Sequence, residues 1–291
     1  MKNDLILRKL EYTKEEIVQI VSLIKQNLDP EFTEEFFRWK HQKNPFGQSF
    51  GLVAFDEEKI IGLRMFMFWE FFDASSKKNI RSLRPVDTVV DKKYRGKGLF
   101  RKLTLEGLEL CRGNYSLVFN TPNKNSLPGY LKMGWSQLPN SGYFSLGVIN
   151  PFGKEISVEF LKGRFTEYLP SQNNISTFQN SIYLNWKYSS DEYEKIFSGN
   201  NFIVFSKRKL NNVPVLIIYE LIGEEKTLQK MLVKLFRITY IPLIYFYNNS
   251  SISLKLITVI PRKKAVIIFK DDVLNIKNKI LFSLGDLEGK L

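Results

Sequence analysis

Apolar positions recur along this chain with periods near 3.6 and 2, which divide it into short helices and strands. Ile17, Ile20, Val21 and Ile24 fall at helical spacing within residues 16–27, and Thr13 with Glu16 offers a capping box ahead of them. A second helix is predicted over 33–43, ending before the turn Asn44-Pro45-Phe46-Gly47. Residues 51–55 and 60–72 read as the arms of a hairpin around Asp56-Glu57-Glu58-Lys59, the second arm rich in aromatic residues. A strand over 85–90, an amphipathic helix over 99–112 with Gly113 behind it, and a strand over 116–120 follow. A short helix is expected from Ser126 to Met133, where Pro128 sits in the donor-free first turn. Residues 143–148 are expected to be the last strand of this unit.

The later half echoes the earlier one. Phe36-Phe37-Arg38-Trp39-Lys40-His41 is matched by Tyr183-Leu184-Asn185-Trp186-Lys187-Tyr188. A turn-rich gap follows each. Hairpin-like pairs come next, 50–55 with 60–68 and 201–206 with 213–221, and then helical runs over 99–112 and 226–236. The expectation is one fold in two copies, residues 1–150 and 151–291.

Between the strand 85–90 and the helix from residue 99 stands Arg95-Gly96-Lys97-Gly98-Leu99-Phe100. A strand, a glycine turn and a helix start direct backbone N–H groups at one point, where a phosphate can sit. Gly96 and Gly98 permit backbone angles and a closeness of approach that side chains obstruct. Lys92, Lys93, Arg95, Lys97, Arg101 and Lys102 surround the turn against the single acid Asp91. No Gly-Lys-Ser/Thr closes it, so it is not a P-loop, and a third glycine at dinucleotide spacing is missing. The later copy has the acidic Leu221-Ile222-Gly223-Glu224-Glu225 at the matching place.

With 291 residues and 44% hydrophobic content the chain can fill one large or two ordinary cores. No apolar run approaches the ~20 residues of a membrane helix, so no membrane span is expected, and a cytoplasmic protein is the default. One cysteine and one histidine argue against a disulfide framework or a zinc site, and no metal is expected. The formal charge of +13 is spread over both halves, not gathered in a basic tail. Such a charge suits a nucleic acid, an anionic surface or an anionic small molecule and does not decide among them; no nucleic-acid partner is expected. Oligomeric state stays open.

The first half resembles the GCN5-related N-acetyltransferases (GNAT). The Arg95 to Phe100 segment resembles their acyl-CoA signature, with Phe100 where a small residue is usual. Val86-Asp87-Thr88-Val89-Val90 looks like their central strand. The segment from Asn120-Thr121-Pro122-Asn123 through Ser126 and Tyr130 to Lys132-Met133-Gly134-Trp135 resembles their second signature. The resemblance implies an α/β fold of the α+β kind, a mixed, mostly antiparallel sheet flanked by helices. It also implies acetyl-CoA as co-substrate, held by Val89, Val90, Arg95, Gly96, Lys97, Gly98, Leu99, Phe100, Arg101, Asn120, Asn123 and Ser126. The doubling, and the closing Phe282-Ser283-Leu284-Gly285-Asp286, look like bacterial tandem members with a degenerate second copy.

The activity so implied is transfer of acetyl to a primary amine of a small molecule, of amino-sugar or polyamine type. A non-catalytic acyl-CoA or anion sensor with a basic surface is the alternative. Tyr130 is the candidate acid toward the departing sulfur, since a phenol is protonated at neutral pH. For the base, Asp87 on the central strand is the first candidate, and Glu70 and Asp73 are others. Backbone N–H groups at Val89 and Val90 are candidates to polarise the carbonyl. His41 reads as architecture and Cys111 as inert core. Trp39, Phe46, Phe66, Phe68 and Trp69 are candidates to line an acceptor pocket.

Overall fold

The computed structural model describes residues 5–161, 164–165, 174–249, 253–272 and 274–287. In chain order the first half runs β1 (Ile6–Lys9), α1 (Lys14–Asn27), α2 (Glu34–His41), β2 (Phe50–Asp56), β3 (Lys59–Asp73), β4 (Lys78–Val90), α3 (Leu99–Leu110), β5 (Leu117–Asn120), α4 (Leu127–Lys132), β6 (Ser136–Gln137) and β7 (Tyr143–Ile149). After it come β8 (Glu159–Phe160), β9 (Ile175–Thr177), α5 (Ser181–Lys187), β10 (Glu194–Ser198), β11 (Asn201–Leu210), β12 (Val213–Ile222), α6 (Glu225–Thr239) and β13 (Leu243–Asn248). The chain closes with β14 (Leu256–Lys264), β15 (Ile268–Lys270), β16 (Ile280–Leu281) and α7 (Leu284–Leu287).

Local chemistry sets the helix starts. Thr13 accepts from Glu16 N at 3.2 Å and Thr33 accepts from Phe36 N at 3.0 Å. The Glu16 carboxylate reaches past Thr13 to accept from Glu11 N at 2.9 Å, so the expected box closes two residues further back. Gly107 in α3 marks a close approach: a Cβ there would lie 2.2 Å from the Phe66 ring on β3. That contact fixes the helix that follows the glycine turn against the centre of the sheet.

Two mixed, mostly antiparallel sheets result. One has the order β1-β2-β3-β4-β5-β15-β6, with β9 on the far end of β3 and β16 beside it. The other has the order β8-β10-β11-β12-β13-β7-β14. Along both orders every neighbouring pair is antiparallel except β4 with β5 and β12 with β13. The two sheets therefore repeat one connection scheme. The repeat aligns β3 and β4 with β11 and β12, because β10 intervenes after α5; the sequence pairing of 50–55 with 201–206 is one strand out of step.

The halves also exchange a strand. Residues 143–148, expected to close the first unit, lie in β7, which pairs with β13 and β14 of the second sheet. In return β15 fills the matching slot of the first sheet, between β5 and β6. Strand patterning records which face is buried but not which sheet supplies the neighbour.

The repeated Trp-Lys pair, Trp39-Lys40 and Trp186-Lys187, lies at the junction. Trp39 Nε1 donates to Trp186 O at 3.0 Å, Trp186 Nε1 donates to Trp39 O at 2.9 Å, and the rings stack 4.7 Å apart. This reciprocity is what a local two-fold relation produces. Phe46, Trp69, Phe71, Phe119, Tyr183 and Phe282 build the core between the sheets, so β3 is buried on both faces and reads as a near-continuous apolar run. Phe46, Phe66 and Trp69 are thus core, and Phe68 carries the Arg81 guanidinium on its ring; none of the five aromatic candidates lines the cleft described next.

Candidate active site

The cleft arises where two parallel strands separate. β4 pairs with β5 only at Ser82 with Leu117 and Leu83 with Val118, yet β4 continues to Val90 and β5 to Asn120. Beyond Leu83 the β4 edge that faces β5 faces an opening of about 520 Å³, lined by Arg64, Arg84, Asp87, Thr121 and Tyr130 among others. A bulge against β3, between Leu63 and Met65, sets Arg64 opposite Asp87 and Thr88. Asp87 takes the left-handed conformation there, φ 44°, which Asp tolerates better than most residues. Arg84, Pro85, Val86, Asp87 and Thr88 form the strand's contribution to the wall. Val89 is buried beneath it, and Val90 O accepts from Arg95 Nε at 3.1 Å.

At the end of β4 the chain makes a single 3₁₀ turn, Lys92–Tyr94, and enters α3 through the glycine turn. Gly96 and Gly98 both have φ 77°, with open space where a Cβ would stand. Gly98 is the N-cap and brings no side-chain cap; the first intrahelical bond is Lys102 N to Gly98 O at 3.0 Å. The N–H groups of Leu99, Phe100 and Arg101 precede that bond and have no intrahelical acceptor. Arg95 folds back, with Nη2 donating to Asn27 O at 3.3 Å as well, so it braces the turn against β4 and α1. Lys97 lies over the Tyr94 ring.

Across the cleft, α4 presents Tyr130, 2% exposed. Its hydroxyl oxygen accepts from Arg64 Nη2 at 2.5 Å and from Asn120 Nδ2 at 2.7 Å. With two donors on the oxygen, the phenol's own proton has neither group as acceptor and is left for the cleft. Asn120 Oδ1 accepts from Thr121 N, so Asn120 works as a clamp. Asn123 Oδ1 accepts from Asn125 N and Ser126 N and shapes the start of α4. Phe100 turns inward: its ring meets Tyr130 edge-on at 5.5 Å, and a Cβ on Gly129 would stand 3.0 Å from it.

Asp87 is held from both sides. Lys40 Nζ donates to Oδ1 at 3.0 Å, and His41 Nε2 lies 2.8 Å from Oδ2, with His41 Nδ1 3.0 Å from Ser49 Oγ. Burial favours the neutral acid, but Lys40 and His41 outweigh it and hold the carboxyl far below the usual carboxylate range. Burial pulls the His41 pKa down despite Asp87, so the neutral ring donates through Nε2. The second half repeats the arrangement: Tyr188 donates to Glu220 Oε1 at 2.5 Å, joining α5 to β12 as His41 joins α2 to β4.

Glu70 and Asp73 sit at the other end of β3, Glu70 ~20 Å along the strand from Arg64. They accept from Asn79 and from Ser75 with Ser76, and do not face the cleft. Hydrogen bonds from those serines lower the Asp73 pKa to about 2. Burial pushes the Cys111 thiol up to about 12.

Sequence reasoning passed over Arg64, Arg84 and Lys40, all buried. The available signal was a lone cation in an otherwise apolar central strand, Ile61-Gly62-Leu63-Arg64-Met65-Phe66. Among the described residues no group of three or more His, Cys, Asp or Glu could hold a metal, and no helix is long and apolar enough to cross a membrane.

Comparison with known proteins agrees with this geometry. Residues 9–138 match the family model described as acetyltransferase (GNAT) domain. No curated protein sequence matches the chain. A GCN5-related N-acetyltransferase from Anabaena variabilis superposes with a TM-score of 0.70 at 12% identity, covering 93% of this chain and 74% of that one. A probable N-acyltransferase from Enterococcus faecalis gives 0.66 at 12%, covering 94% and 75%. Eis1 from Mycobacterium abscessus gives 0.63 at 8%, covering 90% and 72%. At such identities the likeness is one of fold. The family match places an acetyltransferase (GNAT) domain at residues 9–138, and the solved structures show that the chain as a whole shares the fold of GCN5-related N-acetyltransferases.

Proposed function

We propose that the β4/β5 cleft takes acetyl-CoA and that the enzyme passes acetyl to a primary amine of a small molecule. The residues fit such a ligand. The open left-handed glycines and the first-turn N–H groups of α3 make a cradle for a diphosphate, which a Cβ at Gly96 or Gly98 would begin to fill. The β4 edge beyond Leu83 offers backbone groups to an extended amide chain. Bound acetyl-CoA supplies the activated thioester.

The chain's own residues then do two things. Tyr130 Oη gives its proton to the departing sulfur, and Arg64 with Asn120 stabilises the phenolate left behind. Asp87, with both oxygens taken by cations or N–H donors, is a poor proton acceptor. It anchors α2 to the bulge, and the amine loses its proton to water. Assigning Asp87 as the base, as the sequence suggests, does not suit this environment. The amino-sugar and polyamine classes remain the sequence-based candidates for the acceptor.

The second copy is read as degenerate. The turn before α6 is filled by Asn201: its Oδ1 accepts from Glu224 N at 2.6 Å and lies 2.1 Å from where a Gly223 Cβ would be. Glu224 and Glu225 add negative charge where a diphosphate would dock.

The doubly hydrogen-bonded Tyr130 hydroxyl is the observation that carries this reading. Tyr130→Phe should lower kcat by ~10²–10⁴-fold, the usual contribution of a positioned acid, with the KM for acetyl-CoA changed less than ~3-fold. An unchanged kcat would remove Tyr130 from the chemistry.

A further inference from the structure

Arg84 is the buried charge in the cleft that acyl transfer leaves unexplained. It is 2% exposed, with its guanidinium against both the Trp69 and Phe119 rings, 5.5 and 5.6 Å from their centroids. Nη2 donates to Thr121 Oγ1 at 3.1 Å; among the described residues Nε and Nη1 have no hydrogen-bond partner. Burial pulls its pKa down to about 10. No carboxylate among the described residues lies within salt-bridge distance of Arg84 or Arg64. The cleft wall and the braces behind it thus bury Lys40, Arg64 and Arg84 with Asp87 as their carboxylate; the buried Asp286 behind Trp69 and Thr177 offsets part of the Arg84 charge without forming a salt bridge to it. An unpaired buried cation is costly, and a bound anion is one way to offset that.

The two arginines approach from opposite faces of the sheet. Arg64 lies among Phe66, Phe100 and Tyr130 on the side of α3 and the glycine turn. Arg84 lies with Trp69, which packs on Tyr183 of the second half. An acceptor reaching a thioester laid against α3 comes from the Arg84 side. We propose that Arg84 anchors a carboxylate or phosphate on the acceptor, so that the substrate is an amine that also carries an anionic group. A polyamine would bring further positive charge to this wall. This rests on the acyl-transfer reading for the amine, while the anion site can be tested without turnover.

The test uses the full-length protein with CoA bound and compares matched amines by thermal shift: an α-amino acid against its amide, an amino-sugar phosphate against the free amino sugar, and spermidine. Thiol release from acetyl-CoA is measured on the same panel. The carboxylate or the phosphate member should bind at least ~10-fold more tightly than its neutral partner, and Arg84→Gln should narrow that ratio to within ~3-fold, mainly through KM. The two pairs separate carboxylate from phosphate. Equal stabilisation by charged and neutral members, or preference for spermidine, overturns the proposal. So does an unchanged ratio in an Arg84→Gln protein that melts as a folded protein. Anion-selective stabilisation without acetylation of any amine would support the anion site and overturn acyl transfer instead.

Discussion

Replacing Arg64 by Met separates catalysis from stability. The methionine keeps the length of the stem among Phe66, Phe100 and Tyr130 but removes the guanidinium, whose Nη2 holds Tyr130 Oη at 2.5 Å and whose Nε has no partner among the described residues. A hydrogen bond to a charged group contributes about 1.5–3 kcal/mol. That bond strengthens as Tyr130 gives up its proton, so most of its value should appear in kcat. At about 1.4 kcal/mol per tenfold, kcat should fall ~10–150-fold. Stability should move little or rise, because a buried cation without a carboxylate partner is removed together with its desolvation cost. Steady-state thiol release and a thermal melt read the two effects on one preparation. A kcat within ~2-fold of the parent, or a melting temperature lower by more than ~5 °C, would instead make the arginine a packing element.

Burial, with the nearby Asp286 charge, pushes the Glu220 pKa up to about 8, so the folded state holds a proton the unfolded state releases near ~4.3. Glu220 therefore destabilises the fold progressively as pH rises from ~4.3 to about 8, and Glu220→Gln should flatten urea-measured stability across that window; an unaltered pH profile would contradict the assignment. A fragment of residues 1–150 should not fold cooperatively, because it lacks β15 and leaves β7 without β13 and β14. A sharp melt of that fragment by circular dichroism would show that the exchange is dispensable.

Much of the first half was legible because its elements are local. The Thr13 and Thr33 caps, the turn between β2 and β3, and the glycine turn each declare themselves within a few residues. The position of Tyr130 beside the cleft was legible through the order of motifs around it. The repeated Trp-Lys pair pointed to duplication, and its reciprocal hydrogen bonds could not be read in one dimension. The exchange of β7 and β15 was hidden because alternation fixes a buried face, not a neighbour. Arg64 and Arg84 were missed for a related reason: a cation on a strand reads as solvent-facing until both faces of that strand prove covered. The surroundings of Asp87 could not be read because its partners, Lys40 and His41, come from a helix more than 40 residues earlier.

The central claim is that the glycine turn and the β4 edge hold acetyl-CoA. Calorimetric titration of acetyl-CoA into the parent protein and into Gly98→Val tests it most directly. A side chain at φ 77° is strained, and it intrudes on the open space before α3. One coenzyme per chain with affinity weakened at least ~10-fold by Gly98→Val is the expected result. No heat of uptake by the parent, or equal affinity in both proteins, would contradict the account.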